Sequence, residues 1–244
     1  ITQDDPSFPA GVRSVVDDHA LEQSFHLKID SVPTLIRFKG GREVGRAVGW
    51  ERKEWMGLAG EAAKGDGLPD WQPGCGSKSV EPGVQEALIA RYGETGLKAR
   101  AISVGNWDDP IEACFERGWT DGLPVVPPTD ERILRMLGGT PRRPDEVVGL
   151  VPPNLAPCTV EKVAINAVMA GCKPEYMPWV LAAVEAVCTD EFNIHGVLAT
   201  TMPVGPVVVC NGPGTRAIGM NSGVNVLGQG NRANLTITPL FIPM

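Results

Sequence analysis

The sequence lacks the segments that carry a protein into a membrane or through it. No apolar run approaches the roughly 20 residues that span a bilayer, and no signal peptide opens the chain. Basic clusters are also missing, because 22 Lys and Arg are spread among 29 Asp and Glu for a formal net charge of −7. We therefore expect a cytoplasmic protein that binds neither membranes nor nucleic acid.

The cysteines lack every spacing that would define a disulfide framework or a metal site. The six of them form neither C-x-x-C nor a zinc-finger pattern, and no iron–sulfur spacing occurs. In a cytoplasmic protein they are expected to be free thiols, with no metal and no other cofactor. The sequence assigns no role to Cys114, Cys158, Cys188 or Cys210.

Turn residues divide the chain into two predicted domains. Residues 1–60 end in a hairpin and a helix that is closed by Gly60, and residues 61–83, rich in Gly, Pro, Asp and Ser, predict a linker. Residues 84–244 form the second domain. Prolines 239 and 243 follow the start of a helical pattern, so we expect that this domain is truncated or altered at its C-terminus.

The second domain carries several helix and strand signals. Helices are predicted at 84–92, 110–117, 130–137, 160–170 and 174–188. Strands are predicted at 98–104, 197–201 and 204–210.

The first domain resembles the second half of a thioredoxin-like fold. The resemblance rests on Ser31-Val32-Pro33-Thr34-Leu35, the Gly40-Gly41 turn and residues 45–50, and it covers residues 1–60. It implies that Pro33 is the cis proline facing the redox motif, with the backbone before it free to pair with a substrate peptide. The family's C-x-x-C would lie upstream of residue 1, so the resemblance gives this domain no nucleophile of its own.

The second domain resembles a poorly characterised bacterial family associated with selenoproteins of the UGSC type. The resemblance rests on residues 120–129 (TDGLPVVPPT), 159–176 (TVEKVAINAVMAGCKPEY) and 221–225 (NSGVN). It covers about residues 70–236, and members of that family often follow a thioredoxin-like domain. The expected fold class is therefore α/β, with a partial thioredoxin-like domain followed by a second α/β domain. The resemblance implies no established reaction.

Three residues of the second domain are candidates for catalysis. Cys172 lies between a helix end and the next helix start, beside Lys173, which favours a thiolate. His195 precedes a predicted core strand, and strand ends gather active sites in α/β proteins. Glu161 is a candidate general acid or base, although an acid in a first helical turn also simply complements the helix dipole.

A Gly- and Asn-rich stretch at residues 211–232 predicts a binding loop for an anion. Its glycines let backbone N–H groups approach a ligand, and its side chains supply amides and one guanidinium. The candidate binding residues are Asn211, Asn221, Asn225, Asn231 and Arg232. Pro33 is the candidate peptide contact of the first domain. Cys75 is a candidate reactive thiol in a flexible linker.

Three functional hypotheses follow from these residues. The first is a thiol-dependent redox enzyme, or a redox-coupled subunit with a protein partner, acting on a small anionic substrate near Cys172 and His195. The second is a cofactor-free hydrolase or lyase that uses His195 and Glu161. The third is a non-catalytic partner subunit of a redox complex, docking through its thioredoxin-like face.

Overall fold

The computed structural model describes residues 1–5, 7, 14–60, 65–152, 154–201 and 205–237, with only the backbone of residues 197 and 198. Helices and small antiparallel sheets alternate along the described chain, which confirms the general α/β class. The chain divides into two compact units, Ile1–Glu94 and Thr95–Met244.

The first unit is built from a hairpin, two shorter strand pairs and three helices among its described residues. The helices are α1 (Glu22–His26), α2 (Arg52–Ala59) and α3 (Val84–Tyr92). The strands are β1 (Ser31–Val32), β2 (Thr34–Lys39), β3 (Arg42–Val48), β4 (Trp50–Glu51), β5 (Trp71–Gln72) and β6 (Cys75–Gly76). The predicted hairpin is confirmed, because β2 pairs with β3 across Gly40 and Gly41, both at positive φ.

Two strands of the first unit lie in the segment that the sequence predicts as a linker. β5 pairs with β4 through Trp50 and Gln72, and β6 pairs with β1 through Val32 and Cys75. The indole Nε1 of Trp50 also donates a hydrogen bond to the carbonyl of Pro69 at 2.6 Å. Residues 65–83 therefore belong to the first unit, and the boundary falls after Glu94. Gly65 begins a turn before β5, in which the N–H of Leu68 donates to its carbonyl at 3.0 Å, and Pro73 and Gly74 connect β5 to β6.

The interior of the first unit contains a buried polar cluster. Asp18 accepts hydrogen bonds from the backbone N–H of Ser24 at 2.8 Å and from its hydroxyl at 2.6 Å. The side-chain amide of Gln3 donates to the hydroxyls of Ser24 and Ser77 at 2.7 and 2.6 Å. Ser77 in turn shares a hydrogen bond of 2.7 Å with Ser79. These bonds satisfy the buried polar atoms and join distant parts of the unit.

The described part of the second unit is mainly helical. Its helices are α4 (Pro110–Glu116), α5 (Asp130–Leu137), α6 (Val160–Met169), α7 (Met177–Val187), α8 (Ile194–Ala199), α9 (Gly214–Ala217) and α10 (Arg232–Ile237). Its hairpin joins β7 (Val147–Val151) to β8 (Ala156–Thr159). The predictions of α3, α4, α5, α6 and α7 are confirmed, and Thr159 caps α6 by accepting from the N–H of Lys162 at 3.3 Å.

The hydrophobic core of the second unit lies between α6 and α7, with α5 and α10 packed against them. Val160, Ala164, Ala167, Met177 and Val180 are fully buried there. The segment after α5 closely approaches the 3-10 turn Pro174–Tyr176 that precedes α7. A Cβ atom at Gly139 would overlap the carbonyl oxygen of Pro174, so this junction requires glycine.

The predicted strands of the second domain are wrong. Residues 98–104 form no strand, residues 194–199 form α8, and residues 205–210 form neither a helix nor a strand. The side chain of Asn193 caps α8, and Val207 and Val209 are 78% and 77% exposed. β-branched residues favour a strand only where a neighbouring strand and a core receive them, and neither is present here. Residues 202–204 and the prolines at 239 and 243 lie outside the described residues.

Candidate functional site

Pro33 and Cys75, two separate candidates in the sequence, lie together in the first unit. The Val32–Pro33 bond is cis, as the resemblance implies. Cys75 lies on β6 directly opposite Val32, and its thiol is free and exposed. Cys75 is therefore held in a strand pair rather than in a flexible linker. The backbone before Pro33 pairs with β6, so this chain itself fills the edge that the resemblance left open to a substrate peptide.

Cys172, the predicted nucleophile, is buried in the core of the second unit. Its Sγ donates a hydrogen bond of 3.2 Å to the carbonyl of Thr236 on α10. Burial raises the pKa of this thiol, and the charge of Arg232 opposes the rise without cancelling it. The predicted thiolate is therefore wrong, because residue 172 packs under α10 instead of opening to solvent at a helix start.

His195 is on the first turn of α8 and is exposed. It does not precede a strand, because the predicted strand after it is helical. Its ring is absent from the linings of the two cavities described below. The described structure therefore does not bring His195 together with Cys172 or Glu161 in a common cavity.

Glu161 is buried at the start of α6 and serves as a hydrogen-bond acceptor. Its carboxylate accepts from the backbone N–H of Lys98 at 2.9 and 3.1 Å and from that of Ala99 at 2.8 Å. These three bonds fix residues 98–99 against the first turn of α6. Glu161 thereby positions a loop, and no observation favours the hydrolase or lyase that would need it as a proton carrier.

The amides of the predicted anion loop bond mainly to the loop itself. The Nδ2 of Asn221 donates to Val224, that of Asn225 to Gln229 and that of Asn231 to Gly219, all at 2.8–3.0 Å. In each case one N–H of the side-chain amide is engaged by a backbone carbonyl of the same loop, so that N–H is not presented to a ligand.

The remaining two candidates of the loop differ in their surroundings. Arg232 donates from Nε to the carbonyl of Gly171 at 2.8 Å, which ties α10 to the end of α6. Asn211 is exposed in the segment before α9.

A cavity of about 670 Å³ lies within the second unit, between α4, α5, α6 and the loop at 97–104. Its wall is mostly apolar, which suits a small organic molecule. Two arginines, Arg100 and Arg117, are among the lining residues, together with Cys114 and Glu161. Burial raises the pKa of Cys114, against the opposing charge of Arg117. Glu161 is the only candidate from the sequence that lines this cavity.

Sequence reasoning missed this cavity, although residues 127–129 and 161–169 of two quoted motifs contribute to its wall. The rest of the lining comes from α4, from α5 and from a loop that the sequence predicts as a strand, and the sequence does not show that these segments meet. A usable signal was present in α4, where Cys114 and Arg117 lie on one helix face at i and i+3.

Metal binding and membrane insertion have no support in the described residues. Across these residues, no three His, Cys, Asp or Glu side chains are grouped to hold a metal ion. No helix in the described ranges has the length and apolar character to cross a bilayer. No protein-family model matches the sequence, and neither a curated protein nor a solved structure is significantly similar to it.

Proposed function

We propose that this chain is a redox-coupled subunit with a thioredoxin-like first unit, and that Cys75 carries out thiol–disulfide exchange with a protein partner. The observation that carries the proposal is the pairing of Cys75 with Val32, which puts an exposed thiol beside Pro33. Exposure matters because exchange requires a sulfur that a partner disulfide can reach. The other five thiols are buried or partly buried.

The proposed exchange rearranges the disulfides of the partner. The Cys75 thiolate attacks one sulfur of a partner disulfide, an S–S bond forms between the two proteins, and the partner's S–S bond breaks. The released partner thiolate takes up the proton that Cys75 lost. Another thiol of the partner then attacks the mixed disulfide, which restores Cys75 as a thiol and forms a disulfide between different partner cysteines. The net result is disulfide rearrangement in the partner, with no net change in oxidation state and no other co-reactant.

The experiment follows the reaction of the folded chain with 5,5′-dithiobis(2-nitrobenzoate). We expect one fast release of thionitrobenzoate, which is lost in Cys75→Ser, followed by slow release from the buried thiols. Cys210→Ser is the matched control and should keep the fast phase. A fast phase that survives Cys75→Ser would overturn the proposal.

A second reaction tests whether the surroundings of the β1–β6 strand pair contribute to docking of a partner at Cys75. A peptide disulfide offered to the chain should form a mixed disulfide at Cys75, and Ser31→Lys beside β6 should lower the rate several-fold. Lys39→Glu, at the far end of β2, is the charge control and should leave the rate unchanged. If Ser31→Lys and Lys39→Glu both react at the rate of the unmodified chain, Cys75 reacts only because it is exposed, and docking beside β6 is contradicted.

A second candidate function is the binding of a small apolar molecule with an anionic group in the second unit. It is supported by the apolar wall of the 670 Å³ cavity and by the two arginines, Arg100 and Arg117, among its lining residues. The Arg117 Nη1 donates to the carbonyl of Ala113 at 2.9 Å, which holds that side chain along α4.

The fluorophore 1-anilinonaphthalene-8-sulfonate combines an apolar body with an anionic group and tests this binding. We expect enhanced fluorescence with the folded chain and a several-fold weaker affinity in Arg117→Gln. Arg143→Gln is the control, since Arg143 is exposed and pairs with Asp145 outside the cavity. Ala101→Trp should block the cavity, and unchanged binding in that variant would contradict the proposal.

A further inference from the structure

Two cysteines of the second unit, Cys158 and Cys188, face each other across a glycine. Cys158 on β8 is the register partner of Gly149 on β7. Cys188 follows the last residue of α7, and a Cβ atom at Gly149 would lie 2.8 Å from its Cβ and 3.0 Å from its Sγ. The missing side chain of Gly149 therefore makes the space that Cys188 occupies.

The geometry of an antiparallel pair puts both thiols on one face of the hairpin. Directly paired residues project their side chains to the same face, with Cα atoms about 4.5–5.5 Å apart. Cys188 therefore covers Gly149 on the face to which Cys158 points. The two groups also interact electrostatically, since a thiolate at Cys188 raises the pKa of Cys158 beyond the rise that burial causes. A disulfide needs Cβ atoms about 3.5–4.5 Å apart. The Cβ of Cys188 lies 2.8 Å from the Cβ position of Gly149, on the face where Cys158 is the paired side chain, which is compatible with that spacing. Rotation about the Cα–Cβ bonds then turns the two sulfur atoms toward each other.

Cys158 has an approach from solvent. It is part of the lining of a smaller cavity of about 220 Å³, together with Lys162 and Asn166 of α6. The ammonium group of Lys162 lowers the pKa of Cys158, against burial, and donates to the carbonyl of Pro157 at 3.0 Å. Cys188 is absent from this lining.

We propose that Cys158 and Cys188 form a reversible disulfide, in which Cys158 reacts first with a low-molecular-weight disulfide and Cys188 completes the bond. The site lies in the second unit and uses neither Cys75 nor the larger cavity. The disulfide would tie the end of α7 to β8, because Cys188 directly follows the last residue of α7 and Cys158 lies on β8.

The oxidant in this reaction is a small disulfide such as oxidised glutathione. The Cys158 thiolate attacks one of its sulfurs, the S–S bond of the oxidant breaks, and one glutathione leaves with a proton. The Cys188 thiolate then attacks the sulfur of Cys158, and the second glutathione leaves with the other proton. Two protein thiols are oxidised to one disulfide, and one glutathione disulfide is reduced to two thiols.

The experiment treats the reduced, folded chain with oxidised glutathione and then blocks the remaining thiols with N-ethylmaleimide. Trypsin alone leaves Cys172, Cys188 and Cys210 in one peptide, so a protease that cleaves after glutamate is added before mass spectrometry. We expect a linked peptide pair containing Cys158 and Cys188 as the dominant internal disulfide. Absence of that pair from the oxidised, folded chain would overturn the proposal without recourse to any variant.

Single variants test the order of the two steps. Cys188→Ser should stop at a mixed disulfide of glutathione with Cys158, whereas Cys158→Ser should leave Cys188 reduced. Gly149→Ala should slow the linkage several-fold because its methyl group displaces Cys188. Gly57→Ala is the matched control, since a Cβ there meets nothing within 4 Å. Linkage of Cys158 to Cys172 or Cys210 as often as to Cys188 would refute the specific pairing.

Discussion

The two units of this chain are stabilised from the inside in different ways. The first unit buries a hydrogen-bonded cluster of Gln3, Asp18, Ser24, Ser77 and Ser79 beside a small number of apolar residues. The second unit buries the apolar faces of α6 and α7. The stability of the polar cluster depends on each group keeping its hydrogen-bond partner. The stability of the α6–α7 core depends on apolar side chains that fill the space between the helices. Substitutions should therefore act through different physical causes in the two units.

The largest effect is expected where the second unit loses core volume. Met177, the first residue of α7, is fully buried in the core that α7 forms with α6, so Met177→Ala should lower the free energy of unfolding by about 2–5 kcal/mol. Chemical denaturation measures the loss, and hydrogen exchange assigns it to residues 95–237. Val207→Ala, at an exposed valine, should change stability by less than about 0.5 kcal/mol. Equal losses of unfolding free energy in Met177→Ala and Val207→Ala would contradict the assignment of α6 and α7 as the core.

The next effect tests the polar cluster of the first unit. Asp18→Ala leaves the buried N–H of Ser24 without its acceptor, which should cost about 1–3 kcal/mol. Asp66→Ala, at an exposed aspartate, is the control. Hydrogen exchange should show the loss in residues 14–30 and 77–80. Protection that stays unchanged in these segments would mean that the cluster contributes little to the unit.

A smaller effect is expected from Glu161→Gln in the second unit. The amide keeps one oxygen acceptor but cannot accept all three bonds from the backbone N–H groups of Lys98 and Ala99, so about 1–2 kcal/mol should be lost. The loop at 97–104 should exchange its amide protons faster, and binding of 1-anilinonaphthalene-8-sulfonate should weaken with it. Glu175→Gln, at an exposed position, should do neither.

The smallest expected effect concerns pH. Burial raises the pKa of Cys172, so the folded chain keeps this thiol protonated when the unfolded chain has begun to ionise it. Above about pH 8.5 the unfolded state therefore binds fewer protons, and stability should fall as pH rises. Cys172→Ser should reduce that fall in denaturation experiments between neutral and alkaline pH. If the free energy of unfolding falls with pH as steeply in Cys172→Ser as in the unmodified chain, the burial of this thiol is contradicted.

Much of the helical framework could be predicted from local signals. Thr159, Pro110 and Gly60 each mark a helix end through a backbone requirement that their own side chain or φ angle meets. The hairpin at Gly40-Gly41 could be predicted in the same way, because its turn needs two residues at positive φ and both are glycine. Such features depend on neighbouring residues and need no knowledge of the rest of the chain.

The strand pairs and most of the candidate site could not be predicted because they depend on distant partners. Nothing near Cys75 in the sequence indicates that it pairs with Val32, and nothing near Cys172 indicates that Thr236 covers it. The valines at 207 and 209 suit a strand, yet no partner strand receives them. The asparagines of residues 221–231 have the chemistry to bind an anion, but their N–H groups are used by the loop's own carbonyls.

At Gly139 the backbone of the second unit lies directly against the backbone carbonyl of Pro174, with no side chain between them. Core side chains elsewhere can be exchanged for others of similar volume, and helices adjust to such changes by small shifts. At this junction there is no side chain to exchange, so the end of α5 and the approach to α7 keep their spacing when the residues around them vary. A library of core variants could therefore randomise the positions around this junction, provided that residue 139 is kept as glycine.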